Sequence, residues 1–175
     1  MKDRYVVDTN VLIAASAAHP TNPKDIDATP EDPVQRILVW EWLCKFEESP
    51  SAMILDCEGG IVKEYGNKLG FNDYGFQVLQ YKWSTAEVDN VHVGYDSEGH
   101  GILYPPLLEI IHDQADKKMV AAALAAYEEF GDSCVAFAGD TDWHDWEEHL
   151  LANNIDLEPI IEIWSRKKHA DKKKR

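Results

Sequence analysis

The sequence predicts an α/β fold, a three-layer α/β/α sandwich around a mostly parallel central sheet. Short apolar runs typical of strands buried on both faces occur at residues 4–7, 52–55, 134–138 and 159–164. Segments with helical spacing of apolar residues separate these runs, an alternation that favours a parallel sheet. The length of 175 residues and the hydrophobic content of 45% suit one domain with a substantial core.

The first two predicted helices have clear starting signals. One helix begins near Val11, directly after the polar residues Asp8, Thr9 and Asn10 that follow the first strand. The second begins at Asp32 and Pro33, a typical N-cap and first helical residue. Its buried stripe is expected to contain Val34, Ile37, Leu38 and Trp42.

Three further helices are predicted in the rest of the chain. Ile61, Tyr65 and Leu69 share one helical face, and Gly70 can close that helix. The remaining two are expected at about 115–129 and at 143 to about 152.

Two polar segments interrupt the alternation. Residues 16–31 contain three prolines, and residues 84–106 are rich in Gly, Asp and His, so both are expected to be long loops. Residues 1–165 are therefore predicted to form a single domain with insertions at about 16–31 and 84–106. Residues 166–175 are predicted to be a disordered basic tail.

Charge is distributed unevenly. The whole chain has a net charge of −15, but the last ten residues carry seven Lys or Arg and one acid. The preceding 165 residues hold 10 basic and 31 acidic residues, so this body repels nucleic acid at long range. A nucleic-acid function would need the tail, a metal ion or a basic partner to offset this repulsion. The simpler interpretation of the tail is a solvated end of the chain.

The sequence contains neither a membrane-spanning stretch nor a secretory signal. No window approaches 18 consecutive apolar residues, and Asp8 interrupts the first apolar run. We expect a soluble cytoplasmic protein without a membrane partner.

Two acids follow predicted strands. Asp8 ends the first strand, and Asp140 follows the strand at 134–138. The carboxyl ends of parallel strands meet at one edge of a sheet, where open α/β folds place their ligands. Asp8 could equally serve only as the N-cap of the next helix.

Two further acids lie on predicted helices. Counting by three and four from Asp116 reaches Val120 and Ala123, so Asp116 heads the apolar face of its helix, and Asp113 could supply the cap. Glu64 lies beside the apolar stripe of its helix, as a site residue or as an ordinary flanking acid.

Four acids brought together would repel one another unless a cation neutralised them. Oxygen ligands of this kind suit Mg²⁺ or Mn²⁺, which usually bridge protein carboxylates to phosphate. Such an ion activates water and stabilises charge that develops on a phosphodiester.

Four segments in order resemble the motifs of PIN-domain nucleases: "VVDTNVLIAA", "GGIVKEYGNKL", "DQADKKMVAAALA" and "VAFAGDTDW". This resemblance implies an acidic Mg²⁺ or Mn²⁺ site formed by Asp8, Glu64, Asp116 and Asp140. It also implies that Asn10 and Thr141 position these groups and that Asp142 is an auxiliary metal ligand.

The resemblance further implies metal-dependent endoribonuclease activity on RNA. Family members commonly act as toxins opposed by an antitoxin, and many form homodimers. The chain departs from the family pattern in its two insertions, its acidic body and the sequence Ala-Gly before Asp140, where many members have Thr or Ser.

Alternative functions remain open at this stage. The chain could be a catalytically weak PIN-like interaction module that docks a basic protein partner, or a metal-dependent phosphatase on another α/β fold. Trp143 could stack on a base near the site or pack on the sheet edge.

Overall fold

The computed structural model describes residues 1–21, 23 and 28–174. The described residues confirm the α/β/α class: helices surround one five-stranded sheet in which every strand pair is parallel. The strands are β1 (Arg4–Val7), β2 (Ala52–Asp56), β3 (Val88–Val91), β4 (Cys134–Phe137) and β5 (Asp156–Pro159).

Eight helices connect and flank these strands within the described residues. They are α1 (Thr9–Ala18), α2 (Pro33–Glu48), α3 (Gly60–Lys68), α4 (Tyr74–Ser84), α5 (Leu107–Ile110), α6 (Asp116–Phe130), α7 (Trp143–Ala152) and α8 (Glu162–Lys172). In this part of the chain no helix combines the length and the apolar character needed to cross a membrane.

The strand order β3-β2-β1-β4-β5 places a topological switch point between β1 and β4. The chain builds the sheet outward from β1 on one side and then continues from β4 on the other. Val7 is in register with Ala136, so the carboxyl ends of β1 and β4 lie side by side. Loops that leave these two ends diverge and open a crevice.

Helix α2 begins at the predicted residue but buries a different face. Val34, Ile37 and Leu38 are 62%, 45% and 43% exposed, so the predicted stripe is wrong except at Trp42. Val39, Trp42, Leu43 and Phe46 face the core instead. The aromatic partner explains this choice, since the ring of Tyr5 makes edge contacts with Trp42 and Phe46 at centroid distances of 5.4 and 5.7 Å.

The C-terminal part of the chain differs most from the prediction. The strand expected at 159–164 lies earlier, at Asp156–Pro159, and the residues from Glu162 onward form α8. Strand β5 pairs with β4, with Leu157 opposite Val135, and it stands last in the strand order. It is therefore an edge strand, and its residues are half-buried. Helix α4 and strand β3 were not predicted either.

The basic tail was predicted to be disordered, but its residues through Lys172 belong to α8. The guanidinium of Arg166 contacts Glu147 of α7 at 2.9 Å, and Lys173 Nζ contacts Asp145 at 2.7 Å. Opposite charge therefore holds this helix against α7. Arg175 lies outside the described residues.

The two expected loops are shorter than the sequence suggested. Residues 16–18 belong to α1, and residues 22 and 24–27 of the first insertion lie outside the described part of the chain. The second insertion contains β3 and a hairpin closed by a bridge between Tyr95 and Gly101. Gly101 lies close to the backbone of Lys118: a Cβ atom on residue 101 would lie 2.6 Å from the Cα atom of Lys118.

Candidate functional site

Asp8 occupies the switch point and has two roles at once. Its backbone N–H donates to Ala136 O at 2.9 Å, which ties the end of β1 to β4. Its Oδ1 accepts from Asn10 N at 3.2 Å, so Asp8 is the N-cap of α1. Its Oδ2 is buried and has no hydrogen-bond partner among the described residues. Capping uses one oxygen atom and leaves the other free for the site.

Burial and like charges make ionisation of Asp8 unfavourable. Burial is the largest cause, followed by the negative charge of Asp140, and together they raise the pKa of Asp8 to about 8. The Asn10 N–H and the nearby indole of Trp143 oppose the rise. The indole N–H nevertheless falls outside hydrogen-bonding geometry and is itself unpaired among the described groups.

Asp116 lies on the buried face of α6, as its spacing predicted. It is the first residue of the helix, is 7% exposed, and follows a helix cap without a side-chain hydrogen bond. Its Oδ2 is buried without a partner in the described structure. Burial, then the charges of Asp8 and Asp140, raise the pKa of Asp116 to about 9.

Asp140 completes this group from the end of β4. Its Oδ1 accepts from Asp142 N at 2.9 Å, which fixes the turn before α7. Burial is the main cause that raises the pKa of Asp140, and Lys172 of α8 opposes the rise. The structure thus brings Asp8, Asp116 and Asp140 together from three separate segments.

Glu64 belongs to the same neighbourhood but is already bonded at both oxygen atoms. Thr9 Oγ1 donates to its Oε1, and Lys118 Nζ donates to its Oε2 at 2.6 Å. Lys118 Nζ also donates to Ala115 O at 2.9 Å. The side chains of Glu64 and Lys118 are only 18% and 11% exposed, so Glu64 is a partly buried ion-pair partner rather than a solvated flanking acid.

The predicted positioning residues act differently from one another. Asn10 holds Asp8 through its backbone N–H. Asp113 is exposed and accepts from Ala115 N at 2.7 Å, so it orders the turn before α6 instead of capping the helix as predicted. Thr141 lines a hollow with Lys172, whose ammonium group pairs with Asp142.

Trp143 packs in the core. It is fully buried and stacks on Phe137 with a centroid distance of 6.1 Å. Of the two roles considered for Trp143, packing at the sheet edge is the one its position allows.

Sequence reasoning missed Lys118, although its spacing carried a signal. Counting by four from Lys118 reaches Ala122 and Ala126, which are both fully buried, so Lys118 heads an apolar row just as Asp116 does. A lysine in such a row needs a buried counter-charge, and Glu64 supplies it.

Asp56 was also missed, although it is the last residue of β2 and so lies at a strand end, as Asp8 does after β1. Its carboxylate accepts from Gly60 N and Ile61 N at 2.7 Å each and from Tyr95 Oη at 2.9 Å. These three bonds hold the start of α3 and the 95–101 hairpin, so Asp56 has a structural role.

Three hollows lie near the predicted site acids, but none of the three is lined by Asp8, Asp116 or Asp140. One of about 550 Å³ is lined by Glu64, Lys118 and Tyr95, and one of about 350 Å³ by Asp113 and Asp142. A third of about 560 Å³ is lined by Thr141, Trp164, Lys168 and Lys172. Glu64, Asp113 and Asp142 therefore border open space.

The residues fit a divalent cation through their unpaired atoms. Across the described residues, no three His, Cys, Asp or Glu side chains already stand at metal-binding spacing. The free Oδ2 atoms of Asp8 and Asp116 are nevertheless buried beside other carboxylates, and all the donors are oxygen, the ligand type that Mg²⁺ and Mn²⁺ prefer.

Comparisons of the chain with protein-family models, with curated proteins and with solved structures found no match.

Proposed function

We propose that the chain is a Mg²⁺- or Mn²⁺-dependent endoribonuclease of the PIN type that hydrolyses RNA phosphodiesters. The observation that carries this proposal is the pair of partnerless buried oxygen atoms on Asp8 and Asp116. They lie among other carboxylates, and burial, followed by repulsion between these acids, raises both pKa values. A divalent cation relieves such repulsion at a switch point where α/β folds bind ligands.

Asp8, Asp116 and Asp140 would hold the ion. The ion would supply Lewis-acid chemistry, by lowering the pKa of a water molecule and offsetting negative charge on the phosphodiester. Glu64 is suited to orient the attacking water, because Thr9 and Lys118 fix its carboxylate in place. Asp142 is the auxiliary acid of this arrangement and is available when Lys172 leaves it.

Helix α8 would help RNA reach an acidic protein. Lys167 and Lys168 are exposed on this helix and form no ion pair with a described acid, so they are available for phosphate contacts. As part of the same proposal, a toxin role would place an antitoxin, or another basic protein, on the acidic surface. A homodimer belongs to this proposal as well.

The experiment is RNA cleavage with Mg²⁺ or Mn²⁺, and with EDTA. We expect EDTA-sensitive cleavage that Asp8→Asn reduces at least a hundredfold, since the variant loses an ion ligand. Asp89→Asn is the matched control, because Asp89 of β3 pairs with Arg4 of β1 at a distance from the site. Cleavage that survives EDTA, or that both variants retain, would contradict the proposal.

The interaction module is the second candidate, and one observation favours it. Lys118 and Lys172 already neutralise Glu64 and Asp142 within the chain. A weakened metal site that serves to dock a basic protein would show this pattern. Absence of metal-dependent cleavage, with no change in melting temperature on addition of Mn²⁺, would support this candidate over the nuclease.

A further inference from the structure

We propose that Lys118 is the second cation of the site: it takes the place of a second divalent ion and binds a phosphate group of the substrate strand in the hollow beside Glu64. This inference rests on the proposed nuclease function and deepens it. It assigns one ion to the site and a phosphate contact to Lys118, a residue that the sequence analysis missed.

The position of Lys118 is unusual for a lysine. The residue is only 9% exposed, and its ammonium group lies beside a carboxylate instead of extending into solvent. Its ammonium group has three donors, and two of them bond to Glu64 Oε2 and Ala115 O. The third donor has no partner among the described residues, while the side chain lines the hollow of about 550 Å³.

The bonds of Glu64 divide the acids into two sets. Asp8 and Asp116 keep unpaired buried oxygen atoms, whereas both oxygen atoms of Glu64 are occupied by Thr9 and Lys118. A second divalent ion bound through Glu64 would have to displace a buried ammonium group, at a cost in repulsion between cations. One ion at the aspartates and one lysine at Glu64 satisfy all these groups.

The hollow offers Lys118 to a ligand from one side. Its rim carries Glu58 and Glu98, with side chains 40% and 77% exposed, while Lys63 stands on its wall. Glu64 lines the hollow as well, so its lining holds three acids and two lysines. The exposed acids are screened by water and salt, whereas the Glu64–Lys118 pair is screened much less. Glu64 neutralises Lys118, so an anion in the hollow would contact Lys118 through the donor that has no partner among the described residues.

The hairpin that forms the rim is held in place. Tyr95 Oη donates to Asp56 Oδ2 at 2.9 Å, and Glu58 accepts from Val93 N at 3.2 Å. Gly101 presses on the backbone of Lys118 itself. These contacts fix the hollow relative to the lysine, as a phosphate subsite requires.

Calorimetric titration with Mn²⁺ alone tests the number of ions, with Lys118→Met and the matched control Lys117→Met. We expect one Mn²⁺ per parent chain. Lys118→Met should bind Mn²⁺ at least tenfold more tightly or take up a second ion, because Glu64 is freed and a positive charge is lost. Lys117→Met removes the same charge from the neighbouring residue and should change the affinity less than threefold.

RNA cleavage by the same variants tests the phosphate contact. Lys118→Met should cleave at least tenfold more slowly although it binds Mn²⁺ better, and a merely structural lysine would not separate these two readouts. Two ions in the parent, equal Mn²⁺ affinity in the two variants, or undiminished cleavage by Lys118→Met would each overturn the inference.

If Lys118→Met does not fold, the double variant Glu64→Gln, Lys118→Met takes its place in the titration. It removes both partners of the ion pair and so leaves no lone buried charge. Its Mn²⁺ affinity should stay within threefold of the parent, and a loss of tenfold or more would identify Glu64 as an ion ligand and overturn the inference. A parent chain that binds no Mn²⁺ would instead refute the proposed function itself.

Discussion

Replacement of Asp8 by Asn should stabilise the protein in EDTA, and Mn²⁺ should then stabilise the variant less than it stabilises the parent. The amide keeps the shape of the side chain, and its oxygen can still accept from Asn10 N. Its NH₂ group would replace the unpaired Oδ2 and face carboxylates instead of repelling them. The change thus removes one of several like charges while the helix cap is retained.

The size of the effect follows from the pKa of Asp8, which rises from 3.8 to about 8. At about 1.36 kcal/mol per pKa unit, this shift costs at most about 4 kcal/mol at pH 7. Asp116 and Asp140 share the repulsion, so we expect the variant to gain about 1–3 kcal/mol in EDTA. For a chain of this size the melting temperature should rise by about 2–12 °C.

The pH dependence has a definite sign. A carboxyl whose folded pKa is raised contributes its stability fully below the unfolded pKa, and this contribution is lost as pH rises through the folded pKa. The parent in EDTA should therefore lose stability between about pH 4 and pH 8, the window between the two Asp8 values. The advantage of Asp8→Asn should be small near pH 4 and largest near pH 8.

Melting curves with EDTA and with Mn²⁺ decide the role of Asp8. Binding to the native state stabilises the parent by about 2.7 kcal/mol at a hundredfold excess over the Kd, whereas the variant has lost a ligand and should gain less. If Mn²⁺ shifts the two melting temperatures equally, Asp8 is only a helix cap. The proposed metal site would then lack its central ligand.

Two further predictions concern α8 and its contacts. Truncation after Ser165 removes the ion pairs of Arg166 and Lys172, which are surface pairs, so we expect a stability loss of only about 1–2 kcal/mol in urea denaturation. RNA affinity should fall, and its log–log salt slope should flatten by about 0.7 for each lost phosphate contact; an unchanged slope would limit α8 to a structural role. Burial, and then Arg166, lower the pKa of His144 from 6.5, so its neutral form is favoured in the folded protein. The parent should lose stability relative to His144→Gln as pH falls below about 6.5, and a pH-independent difference between the two melting temperatures would contradict this.

Local patterns predicted the elements that carry most of the site. Helix α7 was expected from residue 143 to about 152 and spans Trp143–Ala152. Asp116 was placed on a buried helix face by its spacing alone, and the strand ends placed Asp8 and Asp140 at one edge. These predictions succeeded because each depends on periodicity within one element or on the rule that parallel strands share an edge.

The prediction failed where a choice depended on a distant partner. Helix α2 has two apolar stripes, and the core selected the one with Trp42 and Phe46 because Tyr5 packs against both rings. Lys118 and Glu64 are separated by 54 residues, so no local pattern could pair them. Likewise, the basic end of the chain forms a helix because α7 supplies acids such as Glu147 across the interface.

The two lysines beside the carboxylates differ in the environment of their charge. Lys172 pairs with Asp142 at the surface, where its side chain is 61% exposed, while Lys118 pairs with Glu64 at 11% exposure. At physiological ionic strength charges in water are screened within about 8 Å, whereas buried pairs are screened much less. Rising salt should therefore release Asp142 before Glu64. Under the proposed function, metal or substrate that competes with Lys172 would face a weak pair, whereas Lys118 would stay at Glu64. Helix α8 would then be the side of the site that changes with conditions, and α6 the side that does not.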